Sequence, residues 1–365
     1  MQEILSIVDH FDLQSPVESI RPYGNGNVND TYLVTCEGGG KHAILQRVNT
    51  YVFTSPETVM ANMRRATEHL SACAVGEERE WKVQQVLSAR NGLDYWRRED
   101  GTFWRMISFI ENTESFDALY SHHQAYEVGY ALGAFHEQIN RLPGDAFETV
   151  LEGFHVSPGY LAAFDRAHAI SERAGEDELE YAYAFIATHR HHIERLEKAK
   201  AEGILPLRTI HGDPKVNNIL FDKTSSQAIS VIDLDTIQPG LVHYDIGDCI
   251  RSSCNPLGEE PGVEWANTVF DPESFRHVLE GYMERGRLFL SPEECDYIYD
   301  AIFLMAFELG LRFLADYLQG DVYYKIHYPT QNKYRALTQF RLAESIEEHR
   351  SQIVETIEKM KVLCS

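Results

Sequence analysis

Asp213 and Asn218 stand five positions apart in the stretch His211-Gly212-Asp213-Pro214-Lys215-Val216-Asn217-Asn218, and the chain enters the apolar run Ile219-Leu220-Phe221 directly afterwards. A second acidic element follows, where the β-rich run Ala228 to Ile232 ends in Asp233-Leu234-Asp235. Mg2+ takes hard oxygen ligands near octahedral geometry, and an Asn carbonyl with one or two strand-end carboxylates supplies them. Asn218 and Asp233 are therefore expected as metal ligands, Asp235 as an assistant to a second ion or to the first, and Asp213 as a free base. Residues of these types also form turns and caps, but two such elements in this order are hard to obtain from turns alone. The chemistry they suit is the transfer of a phosphoryl group from a Mg2+-bound nucleotide.

The five-residue spacing resembles that of the base and the metal-binding Asn in a kinase catalytic loop. Together with Asp233 and Tyr244-Asp245-Ile246-Gly247-Asp248, the loop resembles the aminoglycoside phosphotransferase and choline kinase superfamily. Within it, Tyr23-Gly24-Asn25-Gly26-Asn27-Val28-Asn29-Asp30-Thr31-Tyr32, Ala43-Ile44-Leu45-Gln46, Ile232 to Gly240 and Arg312 to Leu318 are similar to the N-acetylhexosamine 1-kinases. The similarity spans nearly the whole chain, with residues 141–200 the least distinctive.

This resemblance implies an α+β, two-lobed, protein-kinase-like fold. A small antiparallel nucleotide lobe would occupy residues 1–110 and a larger, mostly helical catalytic and acceptor lobe residues 111–365, with a helical insertion at about 141–200. It implies ATP and Mg2+ as cofactors and, as acceptor, the anomeric hydroxyl of an N-acetylhexosamine. Other acceptors of the superfamily (amino sugar, aminoglycoside, choline-like alcohol, homoserine) form the alternative, and a catalytically silent nucleotide-binding module is the reading from another class. Arg312 and Tyr323 match the family's sugar contacts. Against that stand a helical salt bridge from Arg312 to Asp316 and packing of Tyr323 on Tyr324.

Other stretches must position these groups. Val17 to Tyr23, the Gly24-Asn25-Gly26-Asn27 loop and Asp30 to Thr35 read as strand, glycine loop and strand; Gly24, Asn25 and Gly26 could bring backbone N–H groups to phosphates, although Asn-Gly also makes plain hairpins. In the third strand, Lys41 to Val48, Gln46 occupies the place where kinases carry a phosphate-pairing Lys. A neutral amide cannot replace that charge. Arg47 points to the other face by the two-residue period, so Lys215, near the base, is the preferred substitute. A helix over about 57–72 follows, with Glu68 on its surface because no Lys awaits it. Val83 to Leu87 and Thr102 to Ile110 read as strands, and Phe109, Ile110 and Glu111 as the lobe junction and nucleotide hinge. Helices are expected at about 3–12, 122–140, 244–253, 273–286, 292–318 and 331–361. His211 and Asp245 read as braces of the catalytic loop, His211 with proton transfer as its other possible role.

Composition sets outer bounds. A net charge of −23 repels phosphate backbones and anionic membranes, which excludes nucleic acid as an expected partner. Six Cys without a C-x-x-C pair suit reduced thiols in a cytoplasm. The N-terminal residues carry no secretory pattern, and Tyr297 to Leu318 includes Asp300, Glu308, Arg312 and Asp316, so it reads as a buried core helix and not a membrane span. His189, His191 and His192 are expected on an exposed helix face. The expected partner is a small sugar or alcohol, and the chain a monomer or weak homo-oligomer.

Overall fold

Period-two patterning lays down the first sheet. In the computed structural model, which describes residues 2–24, 28–75 and 79–364, it comprises β1 (Val17–Pro22), β2 (Asp30–Cys36), β3 (Ala43–Val48), β4 (Val86–Leu87), β5 (Trp96–Arg97) and β6 (Phe103–Ser108). The order is β1-β2-β3-β6-β4, all antiparallel, with β5 on β6. Both faces of its centre are covered, so β6 is buried almost throughout. Leu45, Trp104 and Met106 pack with Ile7, Val8 and Phe11, in and just after helix α1 (Gln2–Val8). Ile44, Val48, Phe103 and Ile107 face the main core with Val59, Met63 and Leu70 of α2 (Pro56–Ala74). By the same alternation Gln46 and Arg105, directly opposite one another in β3 and β6, lie on the α2 side. Arg47 falls on the other face and pairs with Asp30.

Residues 109–112 carry the chain from this sheet into a second, antiparallel one of order β10-β9-β7, made of β7 (Thr113–Glu114), β9 (Ile219–Asp222) and β10 (Ala228–Val231). A third ladder pairs β8 (Arg208–Ile210) with β11 (Gln238–Gly240). These two short ladders bracket the loop 211–218 and the turn 232–237. Around them lie α3 (His122–Ile139), α4 (Ser157–Ile170), α5 (Glu180–His189), α6 (Arg195–Ala201), α7 (Val242–Ser253), α8 (Pro272–Gly286), α9 (Pro292–Cys295), α10 (Ile298–Gln319), α11 (Gln331–Glu348) and α12 (Arg350–Lys361).

Glycines set how closely these helices approach. A Cβ on Gly129 of α3 would sit 1.8 Å from the Val278 carbonyl of α8, and one on Gly281 of α8 would sit 1.9 Å from the Tyr126 carbonyl of α3. The two backbones are therefore in contact. Gly247 likewise brings α7 close to α10, where a Cβ would sit 2.4 Å from the Ala301 carbonyl. This packing fixes His136 of α3 between Tyr282 of α8 and Asp245 of α7 (3.0 and 2.8 Å).

Several expected elements take another form. Only Val86 and Leu87 of the run from Val83 are strand, because the segment before them is drawn onto the helical part: Lys82 donates to the Ile229 carbonyl (2.7 Å) and Arg79 pairs with Glu127. The helix expected over 292–318 breaks after Cys295, and that over 331–361 breaks at His349, whose ring caps the Ser345 carbonyl (2.8 Å). His189 is buried, not exposed: α5 turns it onto Phe185 and Phe303, ring centroids 4.3 and 5.3 Å away. Among the described residues no helix is long and apolar enough to cross a membrane. The acids of α10 all find partners inside the protein, Asp300 with Arg195, Glu308 with His155 and Ser157, and Asp316 with backbone N–H groups.

Candidate active site

Gly212 stands at φ 88°, where a Cβ would press within 2.8 Å of Thr236, so the loop can turn here only as glycine. Asp245 fastens the turn: its two oxygens accept the backbone N–H groups of His211 (2.6 Å) and Gly212 (2.8 Å), and one of them also meets the His136 ring. Burial would raise the Asp245 pKa, but these donors outweigh it and hold the carboxyl below its usual range. His211 accepts the Asp213 N–H at Nδ1 (3.2 Å) and so donates from Nε2 to the Ile232 carbonyl (2.9 Å). A neutral ring suits both bonds, and burial lowers its pKa. It braces the loop against the strand that ends in Asp233.

Asp213 is left partly open to solvent, its side chain 35 % exposed. Lys215 Nζ lies 2.8 Å from Asp213 Oδ2. Burial works to raise the Asp213 pKa, but the ammonium outweighs it and keeps the carboxylate charged. Asn218 Nδ2 donates to the Asp213 carbonyl (2.8 Å), which leaves its own side-chain oxygen for other use. The Ile232 N–H donates to the Asn218 carbonyl (2.9 Å), so the chain delivers Asp233 beside Asn218. Asp233 adopts a left-handed conformation (φ 66°), which Asp tolerates better than most residues. Its pKa is pushed up to about 7 by burial and then by the charges of Asp235 and Asp213. Of the three crowded carboxylates, Asp213 pairs with Lys215 and Asp235 with Arg105, and Asp233 is left without a direct ion-pair partner among the described residues.

Asp235 is placed differently from its expected role. One oxygen accepts from Asn29 at the start of the β2 region (2.7 Å) and the other lies 2.5 Å from Arg105. Gln46, expected at the phosphates, spends both ends of its amide on protein: Oε1 accepts from Arg105 Nε (2.8 Å) and Nε2 donates to Thr31 (3.1 Å). Glu68 is exposed beside Arg64, as its lack of a strand partner suggested. Gly24 (φ 73°) lines an open cleft with Tyr23, Asn29, Asp30 and Lys325; Asn25 and Gly26 lie outside the described residues. At the hinge, Phe109 packs edge-to-face on Tyr23 (5.8 Å). Its N–H is committed to the His42 carbonyl and the Ile110 carbonyl to Thr113, while Glu111 is exposed.

The residues expected to contact the acceptor lie on and just after α10. Arg312 does not pair with Asp316. Its guanidinium lies over Phe154, Tyr160 and Tyr324 (5.3, 5.2 and 6.0 Å), and its nearest carboxylate is Glu308, 3.8 Å away. Asp316 accepts the N–H groups of Val322, Tyr323 and Tyr324 (2.9, 2.8 and 3.0 Å) and thereby shapes the turn that presents Tyr323. Tyr323 touches Tyr324 edge-to-face yet remains 45 % exposed, so it is not core.

His155 ties this side to the catalytic loop. Its Nδ1 lies 3.0 Å from Glu308 and its Nε2 2.9 Å from the Gly212 carbonyl. Both partners are acceptors, so an imidazolium serves both. Burial alone would lower its pKa, but the Glu308 charge and hydrogen bond outweigh burial and raise it, with Arg312 opposing and Asp248 assisting. The stability this cation contributes is fully present below about pH 6.5, the value for unfolded histidine, and is lost as pH rises through the raised folded pKa. The Tm difference between wild type and His155→Gln is thus expected to shrink above neutrality; a difference constant from about pH 5.5 to 8.5 would show that the ring is held neutral.

Sequence reasoning passed over Arg105, Asn29, His155 and Glu308. A charged residue in the middle of Phe103-Trp104-Arg105-Met106-Ile107 was the available signal, since a strand buried on both faces has no solvent to offer it.

A carboxylate beside a hard-oxygen pair, with the first sheet on one side and a cluster of polar and aromatic groups around Arg312 on the other, has the layout of a small-molecule kinase with an alcohol acceptor. Comparison bears this out at the level of family. The chain belongs to the phosphotransferase enzyme family, whose sequence profile matches residues 19–278. The fold is similar to that of the microcompartment-associated aminopropanol kinase (17 % identity, 97 % of this chain and 99 % of that one, TM-score 0.66). It is also similar to an aminoglycoside phosphotransferase from Alicyclobacillus acidocaldarius (15 %, 98 % and 96 %, TM-score 0.64) and to a spectinomycin phosphotransferase in complex with ADP and spectinomycin (15 %, 96 % and 98 %, TM-score 0.58). The expected α+β, kinase-like fold is therefore the one found.

Proposed function

We propose that this phosphotransferase moves the γ-phosphoryl group of ATP to the anomeric hydroxyl of an N-acetylhexosamine. The observation that carries the acceptor is Arg312. Its side chain is 16 % exposed, caged by three aromatic rings, and among the described residues none accepts a hydrogen bond from it. Guanidinium donors that reach solvent between aromatic rings are open to a ligand, and a sugar's hydroxyl and acetamido oxygens would satisfy them. A cationic acceptor fits less well. The nearby carboxylates are already engaged, Glu308 by His155 and Ser157 and both Asp248 and Glu259 by Arg251, so an amino alcohol would meet Arg312 without a free acid.

Asp213 takes the hydroxyl proton, and Lys215 keeps that carboxylate charged and oriented. The donors fit Mg2+: Asn218 offers a carbonyl oxygen, Asp233 lacks a counter-charge, and among the described residues no cluster of three His, Cys, Asp or Glu forms a cage that would suit a softer or fully protein-bound ion. Bound there with ATP, the ion would supply neutralisation of phosphate charge. The glycine-loop cleft and the Tyr23–Phe109 contact would take the nucleotide.

The test is an acceptor panel of N-acetylglucosamine, N-acetylgalactosamine, choline and aminopropanol with ATP and Mg2+, read by phosphorus NMR of the product. A sugar 1-phosphate is expected. Phosphorylation of an amino alcohol while both sugars stay untouched, or a phosphate on the primary sugar hydroxyl, would overturn the reading.

A further inference from the structure

We propose that Arg105, from β6, supplies the positive charge for the nucleotide phosphates that kinases commonly draw from a lysine on the neighbouring strand, with Gln46 and Asp235 as its positioning residues. The inference rests on the kinase reading but is independent of which acceptor is used.

The argument begins with the register. Arg105 is the direct cross-strand partner of Gln46, so its side chain leaves the sheet on the same face, one strand over. Gln46 Oε1 accepts from Arg105 Nε at 2.8 Å and is itself fixed by the 3.1 Å bond to Thr31 on β2. The neutral amide thus orients a cation instead of supplying one. At its far end the guanidinium meets Asp235, two residues after the proposed metal ligand Asp233, and Asp235 in turn accepts from Asn29 next to the glycine loop. Arg105 therefore bridges β3 and the acidic turn, and through Asp235 it is linked to Asn29 just before β2.

Arg105 is 1 % exposed, and its Nη1 lies 2.5 Å from Asp235 Oδ1 in an ion pair that lacks hydrogen-bond alignment. A purely structural ion pair at such burial is expected to align its donors and acceptors, because poorly satisfied polar atoms in the interior are expensive. The remaining N–H groups of the guanidinium match a phosphate oxygen. Lys215 is less suited to the task, because its ammonium is already bound to Asp213 (2.8 Å).

The proposal is tested by binding, without acceptor or turnover. Dissociation constants for Mg·ATP, ADP and adenosine are measured calorimetrically for wild type, Arg105→Gln and the exchange variant Gln46→Lys/Arg105→Gln, which returns the cation to β3. Arg105→Gln is expected to weaken ATP and ADP by about tenfold or more while adenosine is unchanged, and the exchange variant to recover most of that loss. An Arg105→Gln protein that binds ATP within about twofold of wild type, or an exchange variant that regains thermal stability but not ATP affinity, would overturn the assignment. Should the single variant fail to fold, the unaltered protein decides. The guanidinium nitrogen resonances of Arg105, assigned by their loss in Arg105→Lys, must shift on adding a non-hydrolysable ATP analogue and stay in place with adenosine; no response to the analogue overturns the proposal. A wild type that binds no nucleotide at all would instead overturn the kinase reading.

Discussion

Asp213→Asn is expected to lower kcat by at least about 10², with the dissociation constant for ATP nearly unchanged, in line with the contribution of a positioned general base. The substitution is a clean one in this structure. The Asp213 side chain is partly exposed, and the hydrogen bond from Asn218 that shapes the loop goes to the Asp213 main-chain carbonyl, which the variant keeps. What is lost is the proton acceptor and its pairing with Lys215. Steady-state kinetics with parallel nucleotide binding check it. Turnover close to wild type would remove Asp213 from the proton path and leave Mg2+ and phosphate positioning to carry the reaction alone.

Asp245→Ala is expected to cost about 3–5 kcal/mol of stability in urea unfolding, the range for breaking a buried charged network on one side. Two loop N–H groups and the His136 ring would be left buried without an acceptor. Asp245→Asn does not rescue it, because one amide oxygen cannot serve three donors and the NH2 group would face another donor. Since the folded pKa of Asp245 is depressed, its contribution is present above about pH 4 and disappears as pH falls through the folded value. Wild type and Asp245→Ala should therefore converge in stability under acid. A loss below about 1 kcal/mol at neutral pH would mean that Thr236 and His155 alone hold the turn.

The proposed catalytic loop was readable from sequence because its parts are close together: Gly212, Asp213 and Asn218 lie within seven positions, and Asp233 follows one short hairpin, β9 and β10. The groups that complete it come from far away along the chain. Arg105 reaches Asp235 across 130 positions and His155 reaches Gly212 across 57, and neither pairing leaves a local pattern. His155 in particular lies in the stretch least distinctive by sequence, where only its left-handed backbone (φ 60°) marks it as unusual. Gln46 was legible as an anomaly but not as a clue to its neighbour, since a cross-strand partner is known only once register is known. The helix boundaries were misjudged where apolar periodicity continues across a short break, as at His349, and the histidine patch where charged neighbours on one face of α5 concealed a buried face.

The turn after α10 offers a handle for redesign. A single carboxylate, Asp316, gathers three successive backbone N–H groups and the Asn332 amide (3.0 Å), so the path of residues 322–324 is held through main-chain bonds that do not depend on the side chains of Val322 and Tyr323. Val322 and Tyr323 project outward from it, 62 % and 45 % exposed. Such an arrangement separates the scaffold of the turn from its vocabulary. Libraries confined to positions 322 and 323, with Asp316 left alone, should sample new acceptor preferences without paying in folding yield, whereas the same diversity introduced at Asp316 would erase the turn itself.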